Sequence, residues 1–469
     1  MNKNGIFKLI DKNKDLLIDT AQEIWENPET SLNEEKSAEL QMKILKEKGF
    51  SIEKNIGDMP TAFVAEYGDG KPNLGVLGEY DALSGMSQKV KAAREPVKKG
   101  EPGHGCGHNL LGTAGIGAVL AIKEAIDSGT INGTIRYYGC PAEETLTGKV
   151  FMARDGVFDD LDSALTWHPM QTNSVWASSS LAMNSVRFNF EGQAAHASSA
   201  PEMGRSALDA VELMNVGTNY LREHVNEKAR IHYSITNGGG SPNIVPDAAS
   251  VWYYIRAPKR KEVEEIFERI KKIANGAAMM TETDVDWKFQ AACYNMLPNQ
   301  KLGKVITSNM KEVGGPDFAK EEIEFAKEIE KSFKKGQKEK VMAGDPDEVI
   351  EKSLHEDVIE PYDKGEVMSG STDVGDVSWI TPLAQFTAAT WAVGTPPHSW
   401  QAVAASGSSI GHKAMIFSSK TLAGTLFDLY QNPELINEAK EEFEENTDRK
   451  DYETPLPENA KPPFEQFDK

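Results

Sequence analysis

Apolar and polar positions follow three successive regimes along the chain. In the first, helix-compatible spacing covers 10–27 and 31–48, the second stretch ending near Gly49. Strand-like runs follow at 61–66 and 73–79, then a Lys- and Gly-rich loop at 84–102 without steady periodicity. A small-residue helix at 110–127, a strand at 134–140, a helix starting at 148–154 and a short buried strand at 163–167 complete this part. Strands alternating with helices predict a mostly parallel sheet with helices on both faces.

The second regime alternates more strictly. Strands at 184–191, 229–237, 250–256 and 284–291 are interrupted by amphipathic helices at 206–224 and 261–281. That order, β-α-β-β-α-β, predicts a ferredoxin-like unit inserted into the larger sheet. From about 293 the chain returns to the first domain, with an apolar strand at 384–393 and a helix at 408–430. The expected fold is therefore α/β, a catalytic domain split between 1–182 and 293–469, with an inserted ferredoxin-like α+β lid or dimerisation domain at 183–292. A charged helical stretch at 319–365 is expected as a solvated surface insertion, and the Pro- and Glu-rich last twenty residues as loosely packed.

Composition narrows the function. With 51 Lys+Arg against 72 Asp+Glu the formal charge is −21, which repels phosphate backbones and excludes general nucleic-acid binding. Three scattered cysteines, Cys106, Cys140 and Cys293, make no disulfide framework. The first residues lack the apolar core of a signal peptide, and no window approaches the apolar run a membrane span needs, so a cytoplasmic chain with reduced thiols is expected.

Candidate chemistry gathers where strands end. The run 73–78 leads to Glu79 and Asp81, 134–140 to Glu143-Glu144, 163–167 to His168, and 384–393 through a Gly-Thr-Pro-Pro turn to His398. In open α/β sheets ligands bind beyond the carboxyl ends of the strands, so these residues are expected at one rim. Cys106 and His108 sit in Gly103-His104-Gly105-Cys106-Gly107-His108, where glycines let both face one centre. Thiolate, imidazole and carboxylate together suit zinc or a similar divalent ion. Of the adjacent carboxylates, one can bind metal while the other acts as a base toward water. His196, among small residues, could donate to an oxyanion. Asn243, in a Gly-rich turn, and Arg256, ending a strand, are expected at one loop edge, where they could hold a carboxylate. Gly112, Gly115 and Gly117 lack phosphate-loop spacing and imply close helix packing.

The segments GEYDAL (78–83), GHGCGHN (103–109), CPAEE (140–144), TWHP (166–169), AAHAS (194–198), SPNIVPD (241–247) and GTPPHS (394–399) resemble the amidohydrolase branch of the dinuclear metallopeptidases. That branch includes aminoacylases, glutamate carboxypeptidases and auxin-conjugate hydrolases, and several of these segments are shared with its aminobenzoyl-glutamate hydrolase group. The resemblance implies two divalent ions, zinc or manganese, held by Cys106, His108, Glu144, His168 and His398, one ligand bridging. It implies Glu143 as general base and acid, Asp81 as the residue orienting a ligand, His196 reaching the partner subunit's site, and Asn243 and Arg256 on the substrate carboxylate. It makes neither Glu79 nor Asn109 a ligand. The implied reaction is hydrolysis of an amide beside a free carboxylate in a small-molecule substrate, by a homodimer or a heterodimer with a related subunit. A dipeptidase, a catalytically silent partner subunit and a cysteine hydrolase using Cys106 are the alternatives; the last predicts activity that survives chelators.

Overall fold

Two sheets organise the chain, a computed structural model that describes residues 1–464. Seven strands build the larger: β1 (Ser51–Lys54), β2 (Phe63–Asp69), β3 (Asn73–Glu79), β4 (Gly133–Cys140), β5 (Ser163–Met170), β6 (Ser174–Trp176) and, much later in the chain, β11 (Leu383–Ala389). Their order is β1-β2-β4-β3-β5-β11-β6. The four middle strands run parallel, while β1, β2 and β6 pair antiparallel at the flanks. Strand β3 is buried at every position, as a near-continuous apolar run covered on both faces should be. The short flanks β1 and β6 are absent from the sequence reading because three or four residues carry no legible period.

The helix His108–Asp127 lies in the main core with the helix Ser409–Gln431 against it. Its glycines permit close packing on both sides: a Cβ on Gly117 would overlap Ser419 Oγ of that helix, and one on Gly115 would lie 2.9 Å from the Tyr137 ring of β4. Contrary to the sequence expectation, this helix is long and apolar enough to cross a membrane, with a mean hydropathy of 1.3. Yet 83% of that window is buried inside the fold, where the same composition serves a core helix.

The second sheet holds β7 (Ala182–Glu191), β8 (Arg230–Asn237), β9 (Ala248–Ala257) and β10 (Asp284–Cys293), all antiparallel, in the order β10-β7-β9-β8. The helices Ala207–Leu221 and Arg260–Thr281 cover one face around a core that includes Phe188, Val251 and Tyr253. Among the described residues no helix covers the other face. This is the ferredoxin-like insertion the alternation predicts.

Three expectations need correction. The first helical region is two helices, Lys3–Lys12 and Lys14–Glu26, broken at Asn13. The stretch from 319 is not simply solvated. Phe318, Ala326, Ile329 and Leu354 form a small core with Ala389 and Ala392, and Met342 and Val349 pack on Val393, so it buttresses the loop after β11. The described part of the tail also packs, with Leu456 in a core cluster and the Ala460 carbonyl accepting from Arg154. Single anchoring residues in a polar segment leave no periodicity to read.

Candidate metal centre

The carboxyl ends of the parallel strands form the rim. Glu79 closes β3 opposite Cys140, the last residue of β4. His168 lies inside β5, paired with Thr387 of β11, and not in the turn after a shorter strand as the sequence suggests. The helix His108–Asp127 starts at this rim, after Gly107 at φ 77°. A side chain on Gly107 would also meet Pro169 at 2.9 Å. The loop after β11 returns to the rim, where the His398 N–H donates to the Gly105 carbonyl at 3.0 Å. His398 itself sits at φ 56°, the left-handed region that L side chains avoid.

Two triads result, and Cys106 belongs to both. In one, the donor atoms of Cys106, His108 and His168 lie within 4.8 Å of one another; in the other, those of Cys106, Glu144 and His398 do. Cys106 Sγ is 3.3 Å from His168 Nε2, and His398 Nε2 is 3.2 Å from Glu144 Oε2. Such ligand-to-ligand spacings suit thiolate, imidazole and carboxylate around cations bonded at about 2.0–2.3 Å. The residues fit a pair of ions on a second ground. His108 Nε2 and Glu144 Oε1 are buried without a hydrogen-bond partner, a costly state that a cation relieves.

The electrostatics agree with that donor set. Burial resists ionisation of the Cys106 thiol, but His168 and His108 beside it hold it well below its ordinary range. Cys106 and Glu144 push the half-exposed His398 up to about 11. Burial, then the Cys106 charge, raises Glu144 to about 7. Glu143 is raised well above the usual carboxylate range by burial, then by Glu79 and Asp373. The cluster thus carries mutual repulsion that positive ions would offset.

Asp81 organises the rim. Its Oδ1 holds His108 Nδ1 at 2.8 Å, which turns Nε2 toward the cluster. Its Oδ2 accepts from Ser31 Oγ and from the Glu144 N–H, both at 2.9 Å. Buried Glu34 accepts from the N–H groups of Leu32 and Ala142 at 2.9 Å and fixes Ala142 at φ 56°, at the base of the Glu143-Glu144 turn.

Glu79, expected at the rim but not as a ligand, has Oε2 3.3 Å from His108 Nε2 and forms a third cluster with His108 and Glu143. Three contributors escape the sequence reading. Fully buried Lys149 binds Glu79 at 2.7 Å and Asp373 at 2.5 Å. Glu34 and Asp373 are the others. A lysine inside the apolar run after Gly148 is a signal for a buried ion pair, but its partner Asp373 is 224 residues away. Asn109 is structural, donating to the carbonyls of Ala21 and Ser406.

His196, Asn243 and Arg256 belong to none of the rim clusters. His196 is exposed, and its Nδ1 accepts from the Ser198 and Ser199 N–H groups. Asn243 lies beside it, its carbonyl accepting from Ala197 N–H. The two do not share a loop edge with Arg256. Strand β9 starts at Ala248, opposite Glu191, whereas Arg256 is opposite Met183 at the hinge. Eight residues of extended chain separate these ends, about 26 Å. The strand read from sequence at 250–256 already separates that turn from Arg256 by about 20 Å, so the expected common edge fails on strand length alone.

Two triads sharing a thiolate at a parallel rim, a carboxylate outside both and a ferredoxin-like insertion together make up a metal-dependent hydrolase with a two-ion centre. Residues 180–280 match the peptidase dimerisation domain. The chain is 44% identical over 466 residues to a p-aminobenzoyl-glutamate hydrolase subunit of Escherichia coli K12, covering 97% of each chain. It is 30% identical to the Xaa-Arg dipeptidase of Mus musculus, over 82% of this chain and 78% of the relative. Among solved structures, the aminobenzoyl-glutamate utilization protein of Klebsiella pneumoniae aligns at TM-score 0.62 and 16% identity, over 91% of this chain and 98% of that one. A Bacillus subtilis dinuclear metal-binding peptidase of the M20 family aligns at 0.59 and 14%, over 90% and 99%. The chain belongs to the M20 family of metallopeptidases and amidohydrolases.

Proposed function

We propose that this chain hydrolyses the amide bond of an N-acyl-amino acid bearing a free carboxylate, p-aminobenzoyl-glutamate or a close analogue, giving a carboxylic acid and the free amino acid. The observation that carries this reading is the sharing of Cys106 between the two triads, with Glu143 close by and in neither. Two divalent ions, zinc or manganese, held by Cys106, His108, Glu144, His168 and His398 would polarise the amide carbonyl and make water acidic near pH 7. Asp81 keeps His108 in the ligating tautomer. Glu143 takes the proton of the attacking water and returns it to the leaving nitrogen, a task suited to a carboxyl beside both triads and in neither.

Arg256 receives the substrate carboxylate. In one chain Arg256 is at the hinge and His196 and Asn243 are at the far end of the lid. A second copy, or a related subunit, would bring the partner's His196 to the oxyanion. The lid offers a surface for this: Leu213, Val216 and Tyr220 form an exposed stripe on the helix Ala207–Leu221, and β8 is an edge strand. Residues 183–292 are the unit that closes, excluding water, and the cytoplasm, with its reduced thiols, is the proposed site of action.

Glu143→Gln should lower kcat by at least about 10²–10⁴-fold while bound metal, measured by elemental analysis, stays at the wild-type level. Unimpaired turnover would refute the assignment. The similarity to an Xaa-Arg dipeptidase favours a second reading, hydrolysis of dipeptides with an unusual carboxyl-side residue. A screen of the metal-loaded chain against acyl-amino acids and dipeptides separates the two, and inactivity of the lone chain on both would mark it as a partner subunit.

A further inference from the structure

The lid sheet has one face under helices and one face bare, and their chemistry is opposite. Val186, Phe188, Val251, Tyr253 and Ile255 point into the helix-covered core. The bare face takes the alternate residues. By strand register it presents Arg187 beside Lys288 and Trp252, with Tyr254 and Arg256 continuing along β9. It is the side turned to the catalytic domain: Met183, Ala291 and Cys293 share a core cluster with Met152 and Val374, and Tyr254 packs on it.

Along this face runs a row of four side chains. The Arg256 guanidinium lies 4.9 Å from the Tyr254 ring centroid, and the Arg187 guanidinium 6.0 Å from that of Trp252. The two rings meet edge to face at 5.3 Å, and Ser185 Oγ fixes the indole by accepting from Nε1 at 2.7 Å. Arg187 Nε and Arg256 Nε are both buried without a partner. Among the described residues neither arginine has an ion pair, nor do Lys288 and Arg230 on the same face, in a chain of net charge −21. The acidic groups there are Asp286, engaged by Asn189 Nδ2 at 2.8 Å, and the pair Asp284 and Glu191 at the far end. His232, next to this row on β8, is lowered by burial and then by Arg256, Arg222 and Arg230, which reports the same positive field.

We infer that this face is a second anion site, in which Arg187, with Lys288 beside it, receives a further carboxylate of the substrate while Trp252 and Tyr254 carry its apolar body. The inference rests on the amide-hydrolase reading and narrows it. Arg256 takes the carboxylate next to the cleaved bond, and Arg187 selects substrates that bear another one, on an acidic side chain or on a γ-linked extension. Unpaired guanidinium donors above aromatic faces are a planar, weakly hydrated receptor for carboxylate oxygens.

The test compares N-benzoyl-L-glutamate with N-benzoyl-L-glutamine, equal in shape and differing in one charge. The full-length chain loaded with zinc or manganese should prefer the glutamate compound in kcat/KM by about tenfold or more, the factor of one charge-assisted hydrogen bond. Arg187→Met should bring that ratio close to unity, chiefly through KM, and Arg187→Lys should restore part of it. The ratio cancels general damage to the fold. Calorimetric titration of both compounds into wild type and Arg187→Met separates this inference from the hydrolase reading. A glutamate preference in binding that vanishes with Arg187→Met upholds the site even if neither compound is cleaved. Equal affinity for the two compounds, or a preference unchanged by Arg187→Met, overturns it even if hydrolysis is fast.

Discussion

Asp81 shows how much of the centre depends on residues that never face a cation. Its two oxygens hold a histidine ring, a serine hydroxyl and the Glu144 N–H, so one carboxylate couples the strand end to the helix start and the acidic turn. Asp81→Asn should therefore weaken metal binding by about 10–100-fold, read by competition with a chelating dye. Affinity equal to wild type would show that His108 keeps its orientation unaided. At this scale the sequence was informative where chemistry follows a strand at once. Glu144, His168 and His398 could be picked out because apolar runs end just before them, and Cys106 and His108 because glycines surround them. Glu79 could not be weighed, because its importance lies in Lys149 and, through it, Asp373. Burial of a charge is compensated by partners brought from far along the chain, and spacing does not record them.

Among the elements, the short helix Val374–Ser378 joins parts that the sequence kept separate. Its Asp376 accepts from the Tyr294 N–H just past β10 and from the Tyr452 hydroxyl in the tail. Burial raises Asp376 to about 7, against these two hydrogen bonds, with Asp373 adding to the rise. A carboxyl raised on folding stabilises the fold in its protonated form. That contribution is complete below the unfolded value near 3.8 and is lost as pH rises through about 7. Asp376→Asn should remove this dependence. Denaturation of wild type and variant between pH 3.5 and 8 should then converge at low pH and diverge in favour of the variant up to about pH 7, by at most about 1.4 kcal/mol per pH unit. Parallel curves would contradict the assignment. The period-2 and period-3.6 patterns had disclosed the parallel strands and the whole β-α-β-β-α-β order, because long elements repeat their signal. They did not disclose β1, β6 or this helix, which are too short for a repeat, nor that the charged stretch after 319 supports the His398 loop through a few scattered apolar residues.

For the molecule as a whole, the length of β9 is what motivates the proposed assembly. It separates His196 and Asn243 from Arg256 within one chain, so the proposed site is complete only when the lid of another chain reaches in. Mixing inactive Glu143→Gln with impaired His196→Ala, after reversible dissociation, should restore about a quarter of wild-type activity. Half the dimers are then mixed, and each mixed dimer holds one intact site. No restoration would place His196 in its own chain's site. The wider account depends on the two triads that share Cys106 each holding an ion, and metal stoichiometry tests this most directly. Protein loaded with zinc or manganese and then desalted should retain about two ions per chain, and Cys106→Ala about one or none. Wild-type protein that retains no ion, or a Cys106→Ala variant that keeps both, would contradict it.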